Sequence, residues 1–197
     1  MQQFKSKDYV TVLLVIANIA VYIFCTIQGN VLYNMGSLSV VDIINRQEYY
    51  RILTSLFLHA NPQHIWGNMI FLAALGDMLE RSIGHGRFFA IYMLAGIGGN
   101  LLSMGHELAT GQFCYTIGAS GAVFGLIGAL LLLICKNNGT YGQVSFRRMI
   151  FAIVYLFYSG IQSETTNNMA HLGGFITGFA VMAVFYCIAR RRYKRIR

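Results

Sequence analysis

The chain has 197 residues, of which 56% are hydrophobic and only 11% are charged, and its mean hydropathy is +0.54. This composition excludes an ordinary soluble globular protein, in which about a quarter of the residues are charged, and indicates a membrane protein with one domain spanning residues 1–197. The formal net charge of +8 is also typical of nucleic-acid-binding proteins, so the placement of the basic residues has to separate the two classes.

Six apolar runs are long enough, or nearly long enough, to cross a bilayer core of ~20 helical residues. In chain order they cover residues 9–27, 64–80, 88–105, 120–135, 149–161 and 168–189. They predict an all-α, polytopic membrane protein, a bundle of six transmembrane helices with both termini on the same side. The first run carries Asn18 and no small-residue cleavage site, so we expect a retained helix and not a signal peptide.

Two of the predicted segments are unusual. The stretch of roughly residues 28–62 mixes aromatic, aliphatic and charged residues, which is typical of an interfacial structure, and we expect it to lie along the outer face. The fifth run, residues 149–161, would extend only about 20 Å as a helix. A span that short is suited to a movable side wall of the bundle.

Basic residues fall almost entirely on one side of the six-helix arrangement, and only Arg46 and Arg51 lie on the other. The positive-inside rule then predicts cytoplasmic termini. We expect the tail RRRYKRIR to anchor this topology near anionic lipids, with nucleic-acid binding the weaker alternative. The four cysteines show no CxxC spacing, and a disulfide between Cys25 and Cys114 stays open as an alternative to free thiols.

Three polar side chains on different helices are predicted at the same depth. Counting back from the cytoplasmic charges at 1.5 Å per residue places His64, Ser120 and His171 about 24–28 Å from the cytoplasmic edge of a ~30 Å core. Asn68 follows His64 by four residues, so both point the same way from one helix. Each residue alone is more typical of helix packing or capping, but the shared depth favours a site.

The chemistry expected of these residues is nucleophilic catalysis. Ser120 lies at the predicted amino-terminal end of the fourth helix, where free backbone N–H groups favour a developing negative charge. His171 lies on a glycine-bearing helix that can approach closely, and a Ser–His pair supplies a nucleophile and its general base. No helix carboxylate shares the depth of His171, which favours a dyad over a triad.

The chain resembles the rhomboid family of intramembrane serine proteases over nearly all of its length. The matching motifs are Tyr50–Arg51 in the first outer loop, LHANPQHIWGN and LERSIG on the second helix, GASGAVFG on the fourth and AHLGGFITG on the sixth. A GxSG motif alone is weak, but these motifs in this order are specific. The resemblance implies a six-helix bundle with a water-accessible cavity that opens to the outside. It also implies that the protein cleaves transmembrane segments of other proteins.

Carried onto this sequence, the resemblance implies that Ser120 is the nucleophile and His171 the general base. His64, Asn68 and the backbone N–H of Ser120 would form the oxyanion hole, and Gly118 would shape the approach to it. The implied partners are single-pass membrane proteins in a lipid bilayer, with neither cofactor nor metal.

Further residues receive supporting roles from the resemblance. His59 would lie above the cavity, and Glu80, Arg81 and Arg51 would tie loops to helix ends. Many relatives carry tyrosine where this chain has Phe124, whose ring would still stack on the catalytic histidine but without a hydroxyl. We expect a bacterial plasma membrane location, with both termini cytoplasmic.

Three alternatives stay open. One is a catalytically inactive rhomboid-like protein that binds membrane helices without cutting them. Another is a metal enzyme using His59, His64 and His171, which lacks support because HExxH is absent and no acid shares their depth. The third is a channel or transporter, for which charged residues deep in the bundle or paired broken helices would be expected.

Overall fold

The structure is a computed structural model that describes residues 8–163 and 166–195. Over these residues the fold is all-α, apart from a hairpin of two short antiparallel strands and one 3₁₀ turn, Ser55–Phe57. The elements in chain order are α1 (Tyr9–Gln28), α2 (Val31–Gly36), α3 (Val40–Arg46), α4 (Arg51–Thr54), α5 (Pro62–Ile83), α6 (His85–Thr110), α7 (Ser120–Lys136), β1 (Thr140–Tyr141), β2 (Val144–Ser145), α8 (Phe146–Ile161) and α9 (Asn168–Arg195).

Each of the six predicted apolar runs lies within one long helix, namely α1, α5, α6, α7, α8 and α9. Three of them, α1, α6 and α9, are by themselves long and apolar enough to cross a membrane, and α7 is a shorter apolar helix. The all-α class is therefore confirmed, and three of the long helices are suited by length and composition to crossing a membrane.

Local capping explains where the structure departs from the predicted boundaries. The Asn61 side chain accepts a hydrogen bond from the His64 N–H, and Pro62 occupies the first turn, so α5 begins before the first apolar residues. Ser145 caps α8 in the same way through the N–H of Arg148. Helix α8 therefore begins three residues before the predicted apolar run and has 16 residues, one fewer than α7, which makes it the shortest of the six long helices.

Helix α7 lies in the centre of the bundle, and every residue from Gly121 to Leu130 is buried. It packs against α6 and α9 through glycines: a Cβ at Gly174 or Gly178 would collide with the carbonyl oxygen of Gly121 or Gly125, respectively. Backbones that approach this closely leave room for no side chain between them. The α7–α9 contact therefore fixes which residues of the two helices lie side by side.

In contrast, α8 lies at the periphery of the bundle. Met149 and Gly160 are its only fully buried residues, while Phe151 is 75% and Tyr158 61% exposed. Large apolar side chains that face outward on a helix of a membrane protein are suited to lipid contact.

The segment between α1 and α5 folds into α2, α3, α4 and the 3₁₀ turn at the end of the bundle that carries Ser120. Leu38 and Thr116 exchange backbone hydrogen bonds of 2.9 and 3.1 Å, which join this segment to the loop before α7. Arg51 is only 3% exposed; it pairs with Glu48 at 2.6 Å and donates to the Asn34 and Ser37 carbonyls. Its expected structural role is confirmed.

Glu80 and Arg81 tie helix ends together at the opposite end of the bundle. The fully buried Glu80 carboxylate accepts hydrogen bonds from the Val10 N–H and from both the N–H and hydroxyl of Thr11 at 2.6–2.8 Å. Arg81 pairs with Asp8 at 3.2 Å. Both residues thus fasten the start of α1 to α5, as expected from the LERSIG motif.

The structure corrects the disulfide alternative. Cys25 and Cys114 are both free; Cys25 is buried, and the Cys114 thiol lies 3.6 Å from the Glu107 carboxylate.

The α7–α9 contact gives a stability prediction. Because a Cβ at position 178 would strike the α7 backbone, Gly178→Ala should lower the free energy of unfolding by about 1–3 kcal/mol. Gly105→Ala on α6 is the matched control, since a Cβ there has nothing within 4 Å, and it should be neutral or stabilising. Unfolding in mixed detergent micelles measures both; equal stability of the two variants would contradict the account.

Candidate active site

Ser120 is the first residue of α7 and is half-buried. The chain reaches it through Gly118, whose N–H donates to the Ser55 carbonyl at 2.9 Å and whose φ of +127° disfavours any side chain. At the first position of a helix the backbone N–H has no partner within that helix. The serine hydroxyl and a free N–H donor therefore lie together at one helix end.

His64 and Asn68 lie against the turn that precedes Ser120. A Cβ at Gly118 would come within 2.7 Å of His64 Nε2 and 3.8 Å of Asn68 Nδ2, so only glycine fits there. Asn68 is 7% exposed, and its Nδ2 has no hydrogen-bond partner among the described residues. A buried amide donor without a partner is costly, which is typical of a group kept for a ligand or reaction intermediate.

His171 is brought to the same region by the glycine contacts of α9. The carbonyl oxygen of the preceding residue, Ala170, lies only 2.5 Å from the position of a Cβ on Gly99 and 3.3 Å from one on Gly121. This close fit inserts the start of α9 between α6 and α7. Gly121 directly follows Ser120, and Ala170 directly precedes His171, so the contact places the serine and histidine in neighbouring turns.

The His171 ring stacks on Phe124, with ring centroids 4.1 Å apart and an interplanar angle of 10°. The stacking expected from the sequence is therefore present. His171 is 8% exposed, and its buried Nδ1 has no hydrogen-bond partner within the described part of the chain. The aromatic face, rather than a carboxylate, thus holds the imidazole.

Ser120 and His171 both lie within the described residues, and their side chains are not hydrogen-bonded to each other. In enzymes without substrate, the hydrogen bond between nucleophile and base is often long and tightens only in the substrate complex. The same residues contain no group of three or more His, Cys, Asp or Glu side chains that is arranged to hold a metal ion.

His59 is fully buried beside the site, and its ring centroid lies 5.1 Å from that of His64. Burial, and secondarily the neighbouring His64, lowers the pKa of His59 to about 4, although the Phe57 carbonyl partly opposes this shift. The Tyr33 hydroxyl donates to the His59 carbonyl at 2.7 Å. A neutral His59 therefore fills the space between α2 and the start of α5.

The sequence interpretation missed Asn100 on α6. Its amide donates to the Ile52 carbonyl at 2.8 Å and to the Ser55 hydroxyl at 2.9 Å, and the Ser55 carbonyl in turn holds Gly118. A buried asparagine in the apolar run AGIGGN was the available signal, because polar groups at membrane depth need partners.

Comparison with known proteins decides the family. Residues 46–188 match the family model described as Rhomboid domain. The chain belongs to the rhomboid family. RHOMBOID-like protein 1 of Arabidopsis thaliana is 37% identical over 156 residues, which cover 78% of this chain and 39% of that protein.

Two bacterial relatives of this rhomboid chain come from Bacillus subtilis (strain 168). Rhomboid protease GluP is 33% identical over 142 residues, covering 72% of this chain and 27% of that protein. Putative rhomboid protease YdcA is 31% identical over 164 residues, covering 82% and 76%. The chain thus spans well under half the length of the plant relative and of GluP.

The buried His59 makes the stability of this rhomboid dependent on pH. Its pKa is about 4 in the folded protein and 6.5 ordinarily, so on acidification the unfolded chain takes up the proton first. The contribution of neutral His59 to the free energy of unfolding should be fully present at pH 7. It should be lost between about pH 6.5 and pH 4, which lowers the free energy of unfolding by up to about 3 kcal/mol.

Unfolding in detergent at pH 7.5, 6 and 5 measures this loss. The control is His59→Gln, which retains every other histidine and should lose less stability over the same range. An equally steep fall in His59→Gln would show that another group causes the dependence.

Proposed function

We propose that this rhomboid is an intramembrane serine endopeptidase that cleaves peptide bonds in or near the transmembrane segments of other membrane proteins. The observation that carries the proposal is the convergence of Ser120, at the amino-terminal end of α7, with His171, stacked on Phe124 of the same helix. The family membership and the named proteases among the relatives support the same reaction class.

In the proposed mechanism the Ser120 Oγ attacks the scissile carbonyl carbon while the His171 imidazole takes its proton. The imidazolium then returns the proton to the leaving amine, which departs as the acyl-enzyme forms. A water molecule activated by the same imidazole hydrolyses the acyl-enzyme and restores the Ser120 hydroxyl. The dyad needs no carboxylate, since packing against Phe124 orients the ring.

The developing oxyanion has three proposed donors: the Ser120 N–H, the Asn68 amide and His64 Nε2. The contacts of Asn68 and His64 with Gly118 support this assignment, because they bring two side chains on α5 to the turn that presents the Ser120 N–H. Donors that are already in place gain strength in a dry site, where removing one donor typically costs about a hundredfold in rate or more.

The proposed topology has six spans, α1 and α5–α9, in one rhomboid-type domain over residues 1–197. Both termini would lie in the cytoplasm, and the site would open to the outer face of the plasma membrane. The separation of the site from the basic helix ends, such as Lys136 and Arg190, supports this orientation.

The proposed substrates are single-pass membrane proteins that enter beside α8. The peripheral position of α8 supports this route, because few of its side chains are buried in the bundle. Phe157 of α8 makes an edge-to-face contact with Phe124 at 5.1 Å, so a substrate helix entering there would arrive directly at the aromatic support of His171.

Loss of the nucleophile tests the function. Ser120→Ala should abolish cleavage of tagged single-pass proteins in liposomes, while expression and unfolding stay unchanged. Ser82→Ala is the matched control, because within the described part of the chain its exposed hydroxyl bonds only the Met78 carbonyl of its own helix. Cleavage by Ser120→Ala would overturn the assignment, and no cleavage by the unmodified chain would favour an inactive rhomboid-like protein that binds membrane helices.

Phe124 gives a second prediction at the site. Phe124→Leu removes the stacked ring and should lower kcat about tenfold or more through misplacement of His171. Phe124→Tyr keeps the ring and should retain most of the activity. Cleavage kinetics in the same liposomes measure both, and full activity of Phe124→Leu would mean that the stack does not orient the base.

A further inference from the structure

Asn167 lies in the link before α9, four residues ahead of His171, and its side chain makes three hydrogen bonds. The Nδ2 group donates to the Ser103 hydroxyl at 2.6 Å and to the Thr116 hydroxyl at 2.8 Å. The Oδ1 atom accepts from the Ala170 N–H at 3.0 Å. The last bond caps α9, whereas the first two reach other elements.

The two partners of Nδ2 belong to the elements that surround the site. Ser103 is a fully buried residue of α6, and Thr116 lies in the loop four residues ahead of Ser120. We name Ser103, Thr116 and Asn167 the polar bridge. It joins the chain just before the proposed nucleophile to the chain just before the proposed base through a single amide group.

Each end of the polar bridge is itself anchored. Thr116 exchanges two backbone hydrogen bonds with Leu38. The Ser103 hydroxyl donates to the buried Glu107 carboxylate at 3.2 Å, and the other oxygen of that carboxylate accepts from the Cys114 N–H at 3.3 Å. The polar bridge therefore connects rigid surroundings, and a change in Asn167 would alter the position of the loop that carries Gly118 and Ser120.

We infer that Asn167 is a positioning residue, which sets the spacing between Ser120 and His171 by holding Thr116 and the start of α9 to the same point on α6. This inference rests on the proposed protease function. Capping α9 requires only an acceptor, so the two donated bonds have a different task. They are short bonds between residues far apart in the sequence, and they tie the start of α9 both to α6 and to the loop that carries Ser120. The separation of that loop from α9 decides whether a proton can pass from hydroxyl to imidazole.

The decisive variant is Asn167→Ser, because serine is an equally good helix cap but too short to reach both Ser103 and Thr116. It should stay folded under assay conditions, although loss of the two bonds lowers its stability somewhat. Its kcat for liposome cleavage should fall about tenfold, with KM little changed. Thr116→Val removes the other half of the bridge and should give the same loss. Thr116→Ser restores the hydroxyl and should restore kcat.

Coupling provides the sharper test. The double variant Asn167→Ser/Thr116→Val should be no slower than Asn167→Ser alone, because that single variant has already lost the bond to Thr116. The matched control is Thr26→Val, the same exchange at an exposed hydroxyl that bonds the Tyr22 carbonyl of its own helix, and it should leave kcat unchanged. Normal kcat in Asn167→Ser, or additive losses in the double variant, would overturn the positioning role.

Hydrogen–deuterium exchange separates failure of this inference from failure of the proposed function. In a Ser120→Ala background, which needs no activity, Asn167→Ser should speed exchange in residues 111–119 and leave the α5–α6 junction unaffected. Unchanged exchange in residues 111–119 would overturn the bridge even if the chain proves to be a protease. If exchange in residues 111–119 becomes faster but the unmodified protein cleaves no substrate, the polar bridge is retained and the protease function is refuted.

Discussion

The fold depends most on the close backbone contact between α7 and α9, where glycines on each helix face carbonyl oxygens on the other. In a bilayer the hydrophobic effect does not drive helices together, so such contacts and buried hydrogen bonds must hold the bundle. The contact also fixes register. Because Gly121 meets Ala170, the residues next to them, Ser120 and His171, lie in neighbouring turns at one end of the bundle.

Polar groups then gather at that end for a physical reason. Residues on α4, the 3₁₀ turn, α6, the loop before α7 and the link before α9 satisfy one another through the bonds of Asn100 and Asn167. Asn68 Nδ2 and His171 Nδ1, in contrast, are buried without a partner among the described residues. The satisfied groups build a rigid frame, and the unsatisfied ones line the proposed site. Stacking on Phe124 takes the orienting role that a carboxylate has in a triad.

The sequence predicted the six long helices and the common level of His64, Ser120 and His171, because hydropathy and helical rise depend on few assumptions. It did not predict the start of α8, because a capping serine added a polar turn before the apolar run. The hydrogen bonds of Asn100 and Asn167 could not be predicted either. A single polar residue in an apolar sequence indicates that it needs a partner, but not which residue that partner is.

Reaction of the protein with a fluorophosphonate tests the central claim most directly, because that claim is an activated hydroxyl at Ser120 served by His171. Mass spectrometry of the labelled protein in detergent should locate the adduct on the peptide that contains Ser120, and His171→Ala should remove nearly all of it while the fold remains intact. An adduct on another serine, or undiminished labelling of Ser120 in His171→Ala, would contradict the account.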